Sequence, residues 1–150
     1  MKKIKTSNGQ YALVDNEDYD TTSRYKWHIT AKGYVVTRPY DNGKKLTILW
    51  MHRMINNTPK GFVTDHVNHN KLDNRRSNLR TATDAQNMQN RSINANNKTG
   101  YKGVHLTPSG RYRSRIRHNK TGIHLGMFDT PRQAYLAYRR KAKELWGEFA

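Results

Sequence analysis

The chain has 150 residues, 28 Lys plus Arg against 11 Asp plus Glu, a formal net charge of +17 and no cysteine. That length allows one domain or two small ones, and with 34% hydrophobic residues two separate cores would each be small. A disulfide framework and a Cys-ligated zinc site are excluded, and no apolar run reaches the roughly 20 residues of a membrane span. The basic start Met1-Lys2-Lys3-Ile4-Lys5 leads into no apolar stretch. No signal peptide is therefore expected, and the reading is a soluble cytoplasmic protein without a membrane partner. A large positive field suits a polyanion, with nucleic acid the leading candidate.

Residues 1–90 carry fifteen Lys/Arg and eight Asp/Glu, net +7, with acids clustered at Asp15, Glu17, Asp18 and Asp20. Short strands are expected at Tyr11–Val14, Tyr25–Thr30 and Tyr34–Thr37. Asp41-Asn42-Gly43 is a hairpin turn, with a return strand from Leu46 to Leu49. Trp50–Ile55 reads as a short helix that stops before Pro59. From Asn87 to Thr99 the chain is rich in Asn, Arg and Ser, with little to bury, and reads as a linker or extended arm. This gives a first domain over 1–90, a linker over 91–99 and a second domain over 100–150.

Residues 91–150 carry thirteen Lys/Arg and three Asp/Glu, net +10. Strands are expected at 100–106, 112–118 and 123–128, joined by turns at Pro108-Ser109-Gly110 and Asn119-Lys120-Thr121-Gly122. Thr130-Pro131 is an N-cap followed by proline at the first helical position. The helix should run to about Trp146 and stop at Gly147. Its apolar face is Ala134, Leu136, Ala137, Tyr138, Ala142, Leu145 and Trp146. The fold class is thus α+β. A β-rich first part is followed by a three-stranded antiparallel sheet on one helix.

Arg111, Arg113, Arg115 and Arg117 recur every second residue. On a strand, period two puts all four on one face, with Tyr112, Ser114 and Ile116 on the other. Like charges aligned in this way repel unless a polyanion meets them. Only Asp129, Glu144 and Glu148 are at hand in this part to neutralise them.

Three features sit together upstream: Asp65-His66, then Asp73 to Arg80, then Gln86-Asn87. A carboxylate beside an imidazole is common by chance, but the wider pattern is not. Met51-His52-Arg53-Met54-Ile55, Asp65-His66-Val67-Asn68-His69-Asn70-Lys71-Leu72-Asp73-Asn74-Arg75, Ser77-Asn78-Leu79-Arg80 and Asn87 resemble the HNH homing endonucleases, the ββα-metal nucleases. The lead-in Leu13-Val14-Asp15 and Tyr25-Lys26-Trp27 is similar to that of phage members of the family. Phosphodiester hydrolysis requires a base to activate water and a cation to neutralise developing charge. A hard ion such as Mg²⁺ takes oxygen ligands and keeps several waters, so few protein ligands suffice.

The resemblance implies a DNA endonuclease with His66 as general base. It implies one divalent ion, Mg²⁺ or Mn²⁺, held by Asp65 and Asn87, with Asn90 as the alternative to Asn87. An unperturbed imidazole suits the base role at neutral pH. Asn78 matches the middle Asn of the motif, whose implied role is structural, tying the loop to a helix that begins near Asn78. Asp73 suits a cap or loop role. His52 is expected to pack beside the site, and His69 to lie at its rim or in an exposed loop. Arg75, Arg76 and Arg80 are candidates for the phosphate backbone or for a solvated helix face.

In the last fifty residues, Gly100-Tyr101-Lys102-Gly103-Val104, Gly110 to Ile116, Leu125 to Thr130, Ala134-Tyr135 and Ala137-Tyr138 resemble the APETALA-two / ethylene-response-factor DNA-binding domain. That resemblance implies a sheet laid in the major groove of double-stranded DNA. Arg113, Arg115 and Arg117, with Arg111 on the same face, are then candidates for base or phosphate contacts. Arg91, Lys98 and Lys102 are candidates for phosphate. The expected protein is a site-preferring nuclease of homing type, which nicks as a monomer and breaks both strands as a dimer, the monomer being favoured. A non-catalytic DNA-binding regulator on an HNH-like scaffold is the alternative, and intact Asp65, His66 and Asn87 speak against it. An RNA-binding protein is a third reading, which lacks the usual stacking signatures.

Overall fold

The computed structural model describes residues 1–91, 93, 94 and 96–150 and has the mixed α+β composition expected. Ser92 and Ala95, in the anticipated linker, lie outside the described residues. The chain divides into two units, Met1–Ala85 and Gln86–Ala150.

In the first unit, β1 (Lys2–Lys5) pairs antiparallel with β2 (Tyr11–Val14). Helix α1 (Asn16–Thr22) follows, and strands β3 (His28–Ile29) and β4 (Val35–Thr37) pair next. Strands β5 (Tyr40–Asp41) and β6 (Lys44–Lys45) form a hairpin over Asn42 and Gly43, both at positive φ as a tight two-residue turn requires. Strand β7 (Leu49–Trp50) returns to β4, giving the sheet order β3-β4-β7. Helix α2 (Met51–Ile55) leads to the hairpin of β8 (Val63–His66) and β9 (Leu79–Ala82). Helix α3 (Asp84–Gln89) spans the division between units.

Four differences from the sequence reading have physical reasons. β1 holds one buried apolar residue, Ile4, so nothing local marks it; pairing with β2 makes it a strand. α1 is seven residues long and carries the acidic cluster, whose helical turn is set by what packs on it. The return strand of the hairpin is Lys44–Lys45, because the two-residue turn fixes pairing at once, and Leu49–Trp50 joins a different sheet. No helix starts near Asn78: a short 3₁₀ turn, Arg76–Asn78, runs straight into β9, and the helix waits until Asp84.

One core gathers Ile4, Ala12, Val14, Trp27, Val35, Met51, Ile55 and Leu79. The Trp27 indole N–H donates to the Thr22 carbonyl at 2.7 Å, so the ring is buried without leaving a donor unmet.

The second unit is the antiparallel sheet β10 (Val104–Leu106), β11 (Tyr112–His118), β12 (Thr121–Phe128), covered by helix α4 (Pro131–Trp146). Thr130 and Gln133 make a reciprocal capping box at its start. Ile116, Tyr138 and Ala142 form the core, flanked by Ile123, Leu125, Tyr135, Leu145 and Trp146. Leu136 does not join them and is 51% exposed. It lies roughly 200° round the helix from Ala134, on the opposite side, and Tyr135 packs against Tyr101 instead. Asn97 and Thr99, placed in the linker by composition, are drawn into this unit. The Asn97 side chain accepts from the Thr99 and Gly100 amides, and the Thr99 hydroxyl donates to the Val104 carbonyl.

Gly103 has φ +72°, and a Cβ there would lie 2.1 Å from the Tyr138 ring and 2.8 Å from the Arg115 carbonyl. Gly103→Ala should therefore destabilise the second unit by about 2 kcal/mol or more. Urea unfolding followed by tryptophan fluorescence would show this, and an unchanged midpoint would refute it.

Candidate active site

Asp65 and His66 close β8, directly opposite Arg80 and Leu79 of β9. Successive strand residues point to opposite faces, so the two side chains enter different surroundings. Asp65 meets its cross-strand neighbour Arg80, and its Oδ2 accepts from Arg80 Nε at 2.9 Å and Nη2 at 2.7 Å. Both side chains are almost buried, 7% and 12% exposed.

His66 is buried within an aromatic group. Its ring centroid is 5.2 Å from that of His52 and 6.3 Å from that of Tyr34, and His52 in turn packs on Tyr34 and Trp50. His66 Nε2 lies 3.4 Å from Asn74 Oδ1. The Asn74 amide nitrogen donates to the Lys71 carbonyl, which orients the amide so that its oxygen faces the imidazole. Burial pulls the His66 imidazole below its usual 6.5, against the upward pull of the Asn74 hydrogen bond and the nearby Asp65 and Asp73 charges. The neutral ring is thus favoured at neutral pH.

The loop between β8 and β9 is pinned from several sides. Asn78 Oδ1 accepts from the Asn68 amide at 2.9 Å, and Asn78 Nδ2 donates to the Asp73 carbonyl at 2.8 Å. Both partners lie in the loop, not on a helix. Asp73 accepts from Arg75 through both carboxylate oxygens and from Asn68, and the Arg75 guanidinium holds its carboxyl below the usual carboxylate range. The Asn74 amide donates to Leu13 of β2, anchoring the loop to the first hairpin. His69 sits at the exposed tip at φ +62°.

Arg75, Arg76 and Arg80 each pair with a carboxylate inside the first unit. Arg76 meets Asp18 at 2.7 Å and Glu17 at 2.9 Å, and its amide donates to Asp15. Of the acidic cluster noted in the sequence, Asp15, Glu17 and Asp18 all meet Arg76, and Asp18 lies 58 residues from it. Sequence reading assigned no role to Asn74, although it stands in the quoted Asp73-Asn74-Arg75 string; only the folded loop brings it to His66.

His52 is 5% exposed, and its Nδ1 has no hydrogen-bond partner among the described residues. Burial, then the charges of His66 and Arg53, lower its pKa to about 3. The folded state therefore resists a proton that the unfolded chain takes up near 6.5. Stability is complete above that value and falls with pH between 6.5 and about 3. Comparing wild type with His52→Gln, the slope should differ by up to about 1.4 kcal/mol per pH unit. Urea unfolding at stepped pH reads this directly, and identical slopes would refute it.

The donors put forward for a metal suit a hard ion: a carboxylate from Asp65 and an amide oxygen from Asn87. The Asp65 carboxylate is nearly buried and is bound by the Arg80 guanidinium. Asn87 is half-buried on α3 in the second unit, and Asn90 follows just after that helix.

On β11 the alternation is as read. Arg111, Arg113, Arg115 and Arg117 are exposed, while Ser114 and Ile116 are buried. Arg111 pairs with Asp129 at 3.1 Å, and Arg117 donates to the Lys120 carbonyl at 3.4 Å. Arg115 lies across Gly122, where any side chain would collide with its guanidinium. Lys102 donates to the Gln89 carbonyl and is partly desolvated, which lowers its pKa. Arg91 and Lys98 are exposed.

The HNH endonuclease family model matches residues 56–89, the span that contains Asp65, His66, Asn74, Asn78, Arg80 and Asn87. An uncharacterised HNH endonuclease of Acanthamoeba polyphaga mimivirus is 35% identical over 144 residues, 95% of this chain and 74% of the viral protein. No solved structure matches. Among the described residues, no helix is long and apolar enough to cross a membrane.

Proposed function

The chain belongs to the HNH endonuclease family, and we propose that it is a divalent-metal-dependent, site-preferring DNA endonuclease of homing type. The observation that carries this reading is His66: a buried, neutral imidazole next in sequence to Asp65, with Asn74 facing one ring nitrogen. With Nε2–H turned to Asn74, the lone pair sits on Nδ1, and that nitrogen takes the proton of the attacking water. The water oxygen bonds to phosphorus, the P–O3′ bond breaks, and the leaving oxygen takes a proton from solvent water.

Asp65 and Asn87 would hold the divalent ion, Mg²⁺ or Mn²⁺. When bound, it supplies neutralisation of the charge that builds on the phosphate and the leaving oxygen. Arg80 holds the Asp65 carboxylate in a fixed direction. Asn78 and Asp73 keep the loop closed, so Asn74 stays against His66.

The second unit positions the substrate. Arg113 and Arg115 stand on the outer face of β11 with no side-chain hydrogen bond or ion pair among the described residues. Such a row fits duplex DNA in the manner of the APETALA-two / ethylene-response-factor domain, with Arg111, Arg117, Arg91, Lys98 and Lys102 on phosphate. One base serves one strand, so a monomer nicks.

The test is supercoiled plasmid incubated with the protein in Mg²⁺, Mn²⁺ or EDTA. Conversion to nicked or linear DNA with either metal and none in EDTA is expected. Tight binding without cutting in any divalent metal would overturn the reading in favour of a DNA-binding regulator.

A further inference from the structure

An open cleft of about 690 Å³ lies in the first unit, walled by the stretch before β3, the β4–β5 connection and β6. Arg24, Lys26, Arg38 and Lys45 line it, with Tyr40 and His28 beside them, and no carboxylate contributes to its wall. All six of these side chains are exposed. Lys26, Arg38 and Lys45 have no side-chain hydrogen bond or ion pair among the described residues, and Arg24 reaches only the Asp20 carbonyl, at 3.2 Å.

The contrast within the unit is what gives this weight. Asp15, Glu17, Asp18, Asp65 and Asp73 all face Arg75, Arg76 or Arg80. Five of the unit's eight acids are therefore committed elsewhere, none of the eight lines the cleft, and four cations are left facing one concave surface. Mutual repulsion there is relieved by a polyanion. Tyr40, 63% exposed, adds a flat apolar face of the kind that sugars and bases lie against. The cleft is also built on the sheet β3-β4-β7, and that sheet's Tyr34–Trp50 end packs on His52 and so on His66. A ligand seated in the cleft is registered to the base through rigid elements.

We infer that this cleft binds the sugar–phosphate backbone of the DNA substrate, through Arg24, Lys26, Arg38 and Lys45, as a second anchoring surface separate from the arginine strand. The inference rests on the nuclease reading for the identity of its ligand. It is tested by binding alone, so the two can fail separately.

The probe is a fluorescent duplex in EDTA, with anisotropy measured across a salt series. Each phosphate contact contributes about 0.9 to the slope of log affinity against log salt. The full-length variant Lys26→Ala/Arg38→Ala/Lys45→Ala should lose about 2.7 from that slope and bind roughly tenfold more weakly near physiological salt. The charge-keeping variant Lys26→Arg/Arg38→Lys/Lys45→Arg should stay close to wild type, which separates charge from folding. An unchanged slope and affinity in the alanine variant would overturn the inference, while metal-dependent cutting by wild type would leave the nuclease reading intact. If a nucleoside triphosphate binds wild type but not the alanine variant, and duplex affinity is equal in both, the occupant is a free nucleotide and the inference falls.

Discussion

His66→Ala should abolish cutting and leave DNA binding untouched. Loss of a positioned general base costs on the order of a thousandfold in the chemical step. Single-turnover cleavage at saturating protein reads that step without interference from product release. The imidazole is buried among His52, Tyr34 and Asn74, so truncation also leaves a small cavity, and duplex affinity within about twofold of wild type is the check that the fold survives. Asn74→Ala should follow the same direction with a smaller loss, because it removes the group that orients the ring and not the base itself. A His66→Ala protein that cuts at wild-type rate would move the base elsewhere.

Arg80→Ala carries the largest expected effect on stability. Asp65 and Arg80 are nearly buried, and Arg80 Nε and Nη2 each donate to Asp65 Oδ2. Removing one partner of a buried pair leaves a desolvated charge and costs about 3–5 kcal/mol. The double variant Asp65→Asn/Arg80→Ala should recover part of that loss, since a neutral amide replaces the buried carboxylate that Arg80 bound. If Asp65 is the proposed metal ligand, Mg²⁺ should stabilise Arg80→Ala more than wild type, because the Arg80 cation no longer competes with the ion for that carboxylate. Urea unfolding of these three proteins with and without Mg²⁺ tests each expectation. An Arg80→Ala protein within 0.5 kcal/mol of wild type, on the order of a surface pair, would show that the pair is screened by solvent.

Some of the molecule was written in local pattern. The alternation Arg113 to Arg117 put three arginines on the outer face of β11, with Arg111 exposed just before it, because a strand has period two, and no tertiary contact is required to read it. Thr130-Pro131 and Gly147 marked both ends of α4 for equally local reasons: a capping hydroxyl, a proline already at helical φ and a glycine at φ +56°. Asp65-His66, with the Asn and Arg residues after it, was recognisable as a motif because the chemistry is packed into a short stretch.

Other features came only with the fold. Lys2–Lys5 is a strand and Asn16–Thr22 a helix because partners distant in sequence lie against them. Leu49–Trp50 pairs with β4 and not with its neighbour hairpin, a choice among registers that local alternation leaves open. The helix anticipated at Asn78 became a strand, since pairing Arg80 with Asp65 and Leu79 with His66 outweighs a weak helical preference.

The sequence by itself determined the charge, the nuclease motif, the arginine strand and the terminal helix, all of which depend on residue type and short spacing. The tertiary structure decided which charges are spent. It set Arg75, Arg76 and Arg80 against carboxylates, brought Asn74 and His52 to His66, and left Arg24, Lys26, Arg38 and Lys45 facing an open cleft. The reason is that a salt bridge or a desolvated imidazole is a property of two or more segments brought together by burial. Its energy depends on distance and solvent access, and neither is encoded in any one stretch of chain.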